Sequence, residues 1–311
     1  MASEISIPAT GVVAGRRERP RGEAGIAWLL LTPWLLGMAV VTAIPMATSL
    51  YLSFTDYSLL STPRWVGLDN YLQLFSDKRF VKSLEVTFRY VFISVPLQLT
   101  FALILALLLN TGMMGLRFYR SAFYLPSLLG ASVAIAILWK QVFGREGLVN
   151  GILDVFGIDG ISWIGNPSTA LYTLVILNVW TFGSPMVIFL AGLKQIPKDL
   201  YEAAKLDGAN AFFRFTNITL PMLSPIIFFN LILQFIGAFQ AFTSSYIVSN
   251  GSGGPVESTL FYTLYLYQQG FTQFRMGYAS ALAWVLLLII AAFTAINFLL
   301  ARYWVFYGDK R

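Results

Sequence analysis

Asn178 and Thr181 in one apolar segment, and Asn230, Gln234, Gly237, Gln240 and Ser244 in another, mark where this chain can do chemistry. Amides and hydroxyls donate and accept hydrogen bonds, so a face built of them suits a polar, neutral solute such as a sugar. At 100° per residue the second set falls within an arc of about 120°, and Phe228, Phe235, Phe239 and Phe242 point the other way. Asn178, Thr181 and Pro185 share a face of their own segment. The same residues equally suit hydrogen bonds between membrane helices, each contributing about 1 kcal/mol, and at the level of sequence both readings stand. Other chemistry lacks its groups. Without cysteine or histidine there are no disulfides, thiolates, imidazole bases or most transition-metal sites, so no catalytic residue and no metal site is expected. No Gly-Lys dipeptide occurs, which removes the usual phosphate-binding loop. The glycine-rich run Gly251 to Pro255 reads as an external turn.

The elements that must position these residues are membrane helices. Apolar residues make up 57% of the chain and charged ones 12%, with a mean hydropathy of +0.69, outside the range of soluble globular domains. Six windows of the length a bilayer core demands lie at about 27–54, 88–110, 119–140, 169–193, 222–248 and 278–301. In lipid each segment must satisfy its own backbone, so these spans are helices; a β-barrel would show short alternating segments. The fold class is therefore all-α, a polytopic membrane protein with six transmembrane helices. "RRERPR" (Arg16 to Arg21) precedes an apolar run too long for a cleaved leader, and the run reads as a retained anchor.

Charge sets the expected orientation. The flanks formed by the N-terminal tail, the Arg117–Arg120 turn, the 194–216 loop and the C-terminal tail carry 13 Lys/Arg against 7 Asp/Glu, and the opposite flanks 8 against 8. The positive-inside rule places the first set in the cytoplasm, giving a cytoplasmic tail (1–26), a membrane domain (27–304) with a cytoplasmic loop at 194–221, and a cytoplasmic tail (305–311). The short arginine tail is a topology signal, and nucleic acid is not an expected partner. The middles of all six spans lack Asp, Glu, Lys and Arg; Arg89 and Lys140 lie at outer ends and Arg120 at an inner end. Proton-coupled carriers and voltage sensors need buried ionisable groups, so uphill transport through this chain would draw its energy from a partner.

The loop 194–221 is too polar for lipid. Pro197 suits the first turn of a helix, Asp199 and Glu202 suit its positive end, and Lys198 can pair with Glu202 four residues on. Ala203 and Ala204 keep one face small, and Gly208 fits the left-handed position that ends a helix. A second turn, "ANAFFRF", displays Phe212, Phe213 and Phe215 in water. Burying one such ring contributes about 1.5–3 kcal/mol, so the rings should dock on the protein's own base or in a partner's groove.

The spacing E-A-A, three residues, G, nine residues, I-x-L-P is present as Glu202, Ala203, Ala204, Gly208, Ile218, Leu220 and Pro221. It resembles the cytoplasmic loop of ABC importer permeases, a coupling helix that inserts into a cleft of the ATPase subunit. "WVGLDNYLQLF" (Trp65 to Phe75), "YRSAFYLPSLLGASVAIAILW" (Tyr119 to Trp139) and "GYASALAW" (Gly277 to Trp284) are similar to carbohydrate-uptake permeases related to the maltose and glycerol-phosphate systems. The resemblance implies a type I importer of the bacterial inner membrane. Its parts would be an ATPase dimer, this chain paired with a second, related permease as a heterodimer, and an external solute-binding protein. The cargo would be a sugar or polyol carried by alternating access. The chain itself would bind no cofactor, with ATP and magnesium on the partner ATPase. Glu202, Ala203, Ala204, Asp207, Gly208, Ala209, Phe212, Phe213, Phe215, Ile218, Leu220 and Pro221 would form the ATPase-coupling loop. A permease for another solute such as glycerol phosphate and a stand-alone secondary carrier are the alternatives. The empty span interiors speak against the second. An anionic solute would want a pathway cation, and none lies mid-span.

Overall fold

The computed structural model describes residues 21–111, 115–130 and 132–306. Most of the arginine tail and the last five residues, used above for orientation, fall outside them. Among the described residues the chain is helical, and its only β-type pairing is an isolated bridge between Thr55 and Trp65. It divides into two compact units, Met1–Ser49 and Leu50–Arg311.

Helix α1 (Arg21–Met38), a π-helical turn (Ala39–Ala43) and α2 (Ile44–Ser53) follow one another without a break, making a 28-residue span from Ile26. Trp28, Leu29, Leu30, Trp34 and Val41 are all exposed on it. An apolar helix with no buried face belongs in an apolar medium, as the anchor reading requires.

In the second unit α3 (Asp69–Ser76) leads to α4 (Lys78–Leu109), the central element. The broken pairs α5 (Leu116–Leu129) with α6 (Val133–Val142), and α8 (Ala170–Trp180) with α9 (Gly183–Leu193), follow, separated by α7 (Leu148–Val155). The 194–221 loop holds α10 (Lys198–Leu206) and α11 (Ala211–Arg214). Beyond them come α12 (Leu220–Phe239), α13 (Thr243–Val248), α14 (Tyr262–Tyr267) and α15 (Met276–Trp304). Four helices are long and apolar enough to cross a membrane, or six if each bent pair is one span, which agrees with the six expected windows. Ser83, Thr87, Val91, Val95, Ala102 and Ala106 form a buried stripe of small residues along α4, and α8, α9 and α12 pack closely around that helix.

The second span begins at Lys78, ten residues before the apolar window, because its outer turns carry charge and a hydropathy window rejects them. The fourth bends by 41° between its halves. The carbonyl this break frees at Thr181 is met from two sides: Gln98 Nε2 donates at 3.2 Å and Ser127 Oγ at 2.8 Å.

Segment 249–275, in which the sequence marks only the Gly251 to Pro255 turn, contributes to the core. Leu260, Phe261, Tyr262, Leu264 and Tyr265 are all buried. Tyr262 N–H donates to Thr87 Oγ1 and its hydroxyl to the Leu282 carbonyl, both at 2.8 Å. Asp77 ties this segment to α4. Its carboxylate caps that helix through Arg79 N–H and Phe80 N–H and also accepts from the Tyr265 and Tyr278 hydroxyls. Burial raises the Asp77 carboxyl pKa, but the two hydroxyls and two backbone N–H groups outweigh it and hold the group below the usual carboxylate value. Burial, and then the bond to Asp77, push the Tyr265 hydroxyl upward. A carboxyl depressed in the folded state stabilises at any pH above its unfolded value of about 3.9, and the contribution disappears as pH falls through the folded value. Asp77→Asn should therefore lower Tm at pH 7, with the gap to wild type closing below about pH 4; thermal unfolding of the solubilised protein across that range measures it.

Candidate functional site

The 194–221 loop is a built element. Pro197 is extended at ψ 133° and occupies the N-cap, so α10 starts one residue later than a first-turn proline would place it. At the other end Gly208 has φ +78°, Gly208 N–H donates to the Lys205 carbonyl at 3.1 Å and Ala209 N–H to the Ala204 carbonyl at 2.8 Å. Those two bonds define a Schellman stop, which needs the left-handed conformation that glycine adopts freely. Asn210 Oδ1 then accepts from Phe213 N–H at 2.8 Å and starts α11. A π-helical turn, Phe215–Thr219, joins α11 to α12 without a gap, so the second half of the loop is a helical extension of the fifth span. The turn lies just before Pro221, which has no N–H to continue the helical ladder. Tyr201 and Thr219 share a hydrogen bond of 2.9 Å that closes the loop on itself.

This scaffold buries little of what it displays. Phe212 is 75% exposed, Phe213 53% and Leu206 90%. Phe215, Ile218, Pro221, Ala204 and Ala209 are half-buried, while Glu202, Ala203, Asp207, Gly208 and Leu220 are exposed. Of the two docking options, Phe212 and Phe213 do not take the protein's own base. Among the described residues Lys198 and Glu202 do not form the expected ion pair, and Glu202 is left free at the surface.

A second site lies between α4, α6, α8 and the outer end of α12, where a cavity of about 380 Å³ opens. Asn178, Thr181, Gly237, Gln240 and Ser244 line it. Gln234 is half-buried off the cavity. Asn230 is fully buried with both amide atoms lacking a partner, two turns from Gly237 on the same face. The two readings of the polar residues separate here. Thr181 Oγ1 accepts from Gln98 at 3.0 Å and the Asn178 amide donates to Gln98 at 3.3 Å, so those groups join helices. The Gln240 and Ser244 side chains make no such bond among the described residues and face the cavity.

One of the four phenylalanines, Phe242, departs from the helical wheel. Phe235 and Phe239 point away from the cavity as expected, but into a buried cluster with Phe293. Phe228 meets Phe298 and Trp304. Phe242 lines the cavity, opposite to expectation, because α12 stops at Phe239 and Phe242 takes φ −132°, which ends the 100° rotation. Tyr90 also lines the cavity and packs on Phe261 at 4.5 Å. Tyr90 and Gln98 went unmarked in the sequence, although a glutamine within an otherwise apolar window was the signal available for the latter. No carboxylate, lysine or arginine lines this cavity among the described residues.

Residues 12–305 match the family of binding-protein-dependent transport system inner membrane components. The chain belongs to that family. This permease is 52% identical over 289 residues to the probable ABC transporter permease protein YesP of Bacillus subtilis, covering 92% of this chain and 93% of the relative. It is 35% identical to the lactose transport system permease protein LacF of Rhizobium radiobacter, covering 88% and 93%. With the trehalose/maltose transport system permease protein MalF of Thermococcus litoralis it shares 32% identity over 90% and 95%. Its fold is shared with a chain of a bacterial ABC transporter involved in the import of the acidic polysaccharide alginate, at a TM-score of 0.75 and 20% identity, covering 90% and 96%. The permease is a multi-span membrane transport component.

Proposed function

We propose that this permease is one of two membrane-spanning subunits of an ATP-driven sugar importer of the inner membrane. An ATPase pair docks on the 194–221 loop, a related second permease completes the pathway, and an external binding protein delivers the solute. Relatives of the permease named for lactose, arabinooligosaccharide and trehalose/maltose transport support the sugar class. The termini and the loop face the cytoplasm, where the positive charge lies. ATP and magnesium bind the partner.

The observation that carries this reading is the pairing of a rigid loop presenting exposed Phe212 and Phe213 with a cavity lined by amides, hydroxyls and two aromatic rings. ATP-driven closure of the ATPase pair pulls on α10 and α11. Because α11 runs into the fifth span, the pull reaches the helix that carries Gln240. Alternating access then moves the opening inward past Asn230, whose unpaired amide meets solute or water in that state. Sugar hydroxyls pair with Gln240 and Ser244, and ring faces pack on Phe242 and Tyr90.

Gln240→Leu in the assembled importer should lower uptake about tenfold, the value of a lost hydrogen bond of about 1.4 kcal/mol. Assembly and ATP hydrolysis should remain, since among the described residues the Gln240 side chain makes no hydrogen bond and only its backbone N–H is used, on the Ile236 carbonyl. Full uptake by this variant would remove the cavity from the pathway.

A further inference from the structure

A second cavity, about 400 Å³ in volume, stands outward of the first, and α6 and α13 contribute to the walls of both. On α6, Ser132 and Ala136 face the inner cavity and Lys140 the outer; on the opposite wall Thr243 and Ser244 face the inner and Val248 and Ser249 the outer. Gly130, just before α6, abuts the Thr181 side chain and Trp139 Nε1 donates to the Thr173 carbonyl at 2.9 Å, so α6 runs antiparallel to α8 and its Lys140 end lies near the start of that helix. The eight residues from Ser132 to Lys140 separate the two levels by about 12 Å. A solute entering from outside along α6 and α13 meets the outer cavity first.

The outer cavity differs from the inner in one respect that bears on its ligand. Lys140 Nζ lines it and donates to Asn250 Oδ1 at 2.7 Å. An ammonium carries three donors, and that bond uses one. Lys140 is in none of the four ion pairs found among the described residues. Arg145 and Glu146 follow on the next turn and do not line the cavity. Ser162 lies in the wall with its hydroxyl oxygen accepting from Gly165 N–H at 3.2 Å, which leaves its proton for a ligand. Ile164, Val248 and Pro255 supply an apolar floor.

We propose that this cavity is an entry subsite for a sugar bearing a carboxylate, such as a uronate, with Lys140 as its counter-charge. The proposal rests on the sugar reading above and narrows it. The carboxylate sits on Lys140 while neutral rings pass on to the uncharged inner cavity, so the cation that the span interiors lack is supplied at the mouth.

The chain has no cysteine, so Ser162→Cys in the assembled importer gives a single reporter on this subunit, read by mass. Trigalacturonate should slow its modification by a neutral thiol reagent about tenfold at a concentration where lactose does little. An anionic thiosulfonate should outpace a cationic one. Both preferences should vanish with Lys140→Gln and survive Lys140→Arg. Equal protection by the two sugars, protection by neither, or protection that Lys140→Gln leaves intact would overturn the proposal. ATP-driven uptake on the same complex separates the two claims: loss of uptake for every sugar would sink the sugar reading, whereas uptake of lactose with labelling indifferent to charge would sink only the acidic subsite.

Discussion

Phe212→Asp combined with Phe213→Asp should lower uptake by the assembled importer about 100-fold or more, while the chain should still insert and fold. Both rings are mostly in water in this subunit, at 75% and 53% exposure, so replacing them removes nothing that holds the fold, and the change in its stability stays within about 0.5 kcal/mol. In a partner's groove the same two rings are buried anchors, and each such anchor contributes about 2 kcal/mol or more. Losing both weakens the docking by about a thousandfold, since 1.4 kcal/mol is a factor of ten. Co-purification of the ATPase should fall together with uptake. Gly208→Val acts on the same element by another route. Nothing lies within 4 Å of the position a Cβ would take, so there is no clash, but φ +78° costs a branched residue at least about 1–2 kcal/mol. That strain loosens the Schellman stop and should lower uptake less than removal of the rings does.

The second large effect is on folding. Gly277→Val should leave little folded permease. A Cβ on Gly277 would stand 2.0 Å from the Thr55 carbonyl oxygen, and Gly277 N–H donates to the Tyr57 carbonyl at 3.0 Å. The obstructing atoms are backbone, and they are fixed in turn: Asn70 Nδ2 donates to both the Ser53 and Thr55 carbonyls at 2.9 Å. With no flexible side chain to yield, overpacking costs about 3 kcal/mol and separates the start of the last span from the turn at Thr55. Gly237→Ala is the matched control, because its Cβ would meet nothing within 4 Å. Thermal unfolding of the two purified variants should show a large drop for the first and none for the second.

These contrasts show what the sequence made legible. Hydropathy marked the apolar segments, which in the structure are four long helices and two bent pairs, since a bilayer imposes a length and forbids charge over the whole of it. The Gly208 stop was readable because it acts on its immediate neighbours, whereas the Asn210 cap went unmarked and the Lys198–Glu202 pair did not form. Legibility ended where structure depends on distant partners. The outer segment 249–275 is too short and mixed for a hydropathy window, and its burial comes from Thr87, Asp77 and Leu282, more than 15 residues away in sequence. Phe242 was misplaced because a helical wheel assumes an unbroken helix, and a break at 240–242 resets the phase. Lys140 looked like an end-of-span cation reaching for water; only the fold brings Asn250 to it and sets both beside a cavity.

The central claim is that the exposed rings of the cytoplasmic loop grip a separate nucleotide-driven subunit. The most direct test places a photoreactive maleimide on Phe212→Cys, the single thiol of this chain, in the assembled importer, and sequences the adducts with and without ATP. The account predicts adducts to the ATPase subunit in a yield that changes with nucleotide. Adducts confined to this chain's own cytoplasmic surface or to lipid, in both conditions, would contradict it.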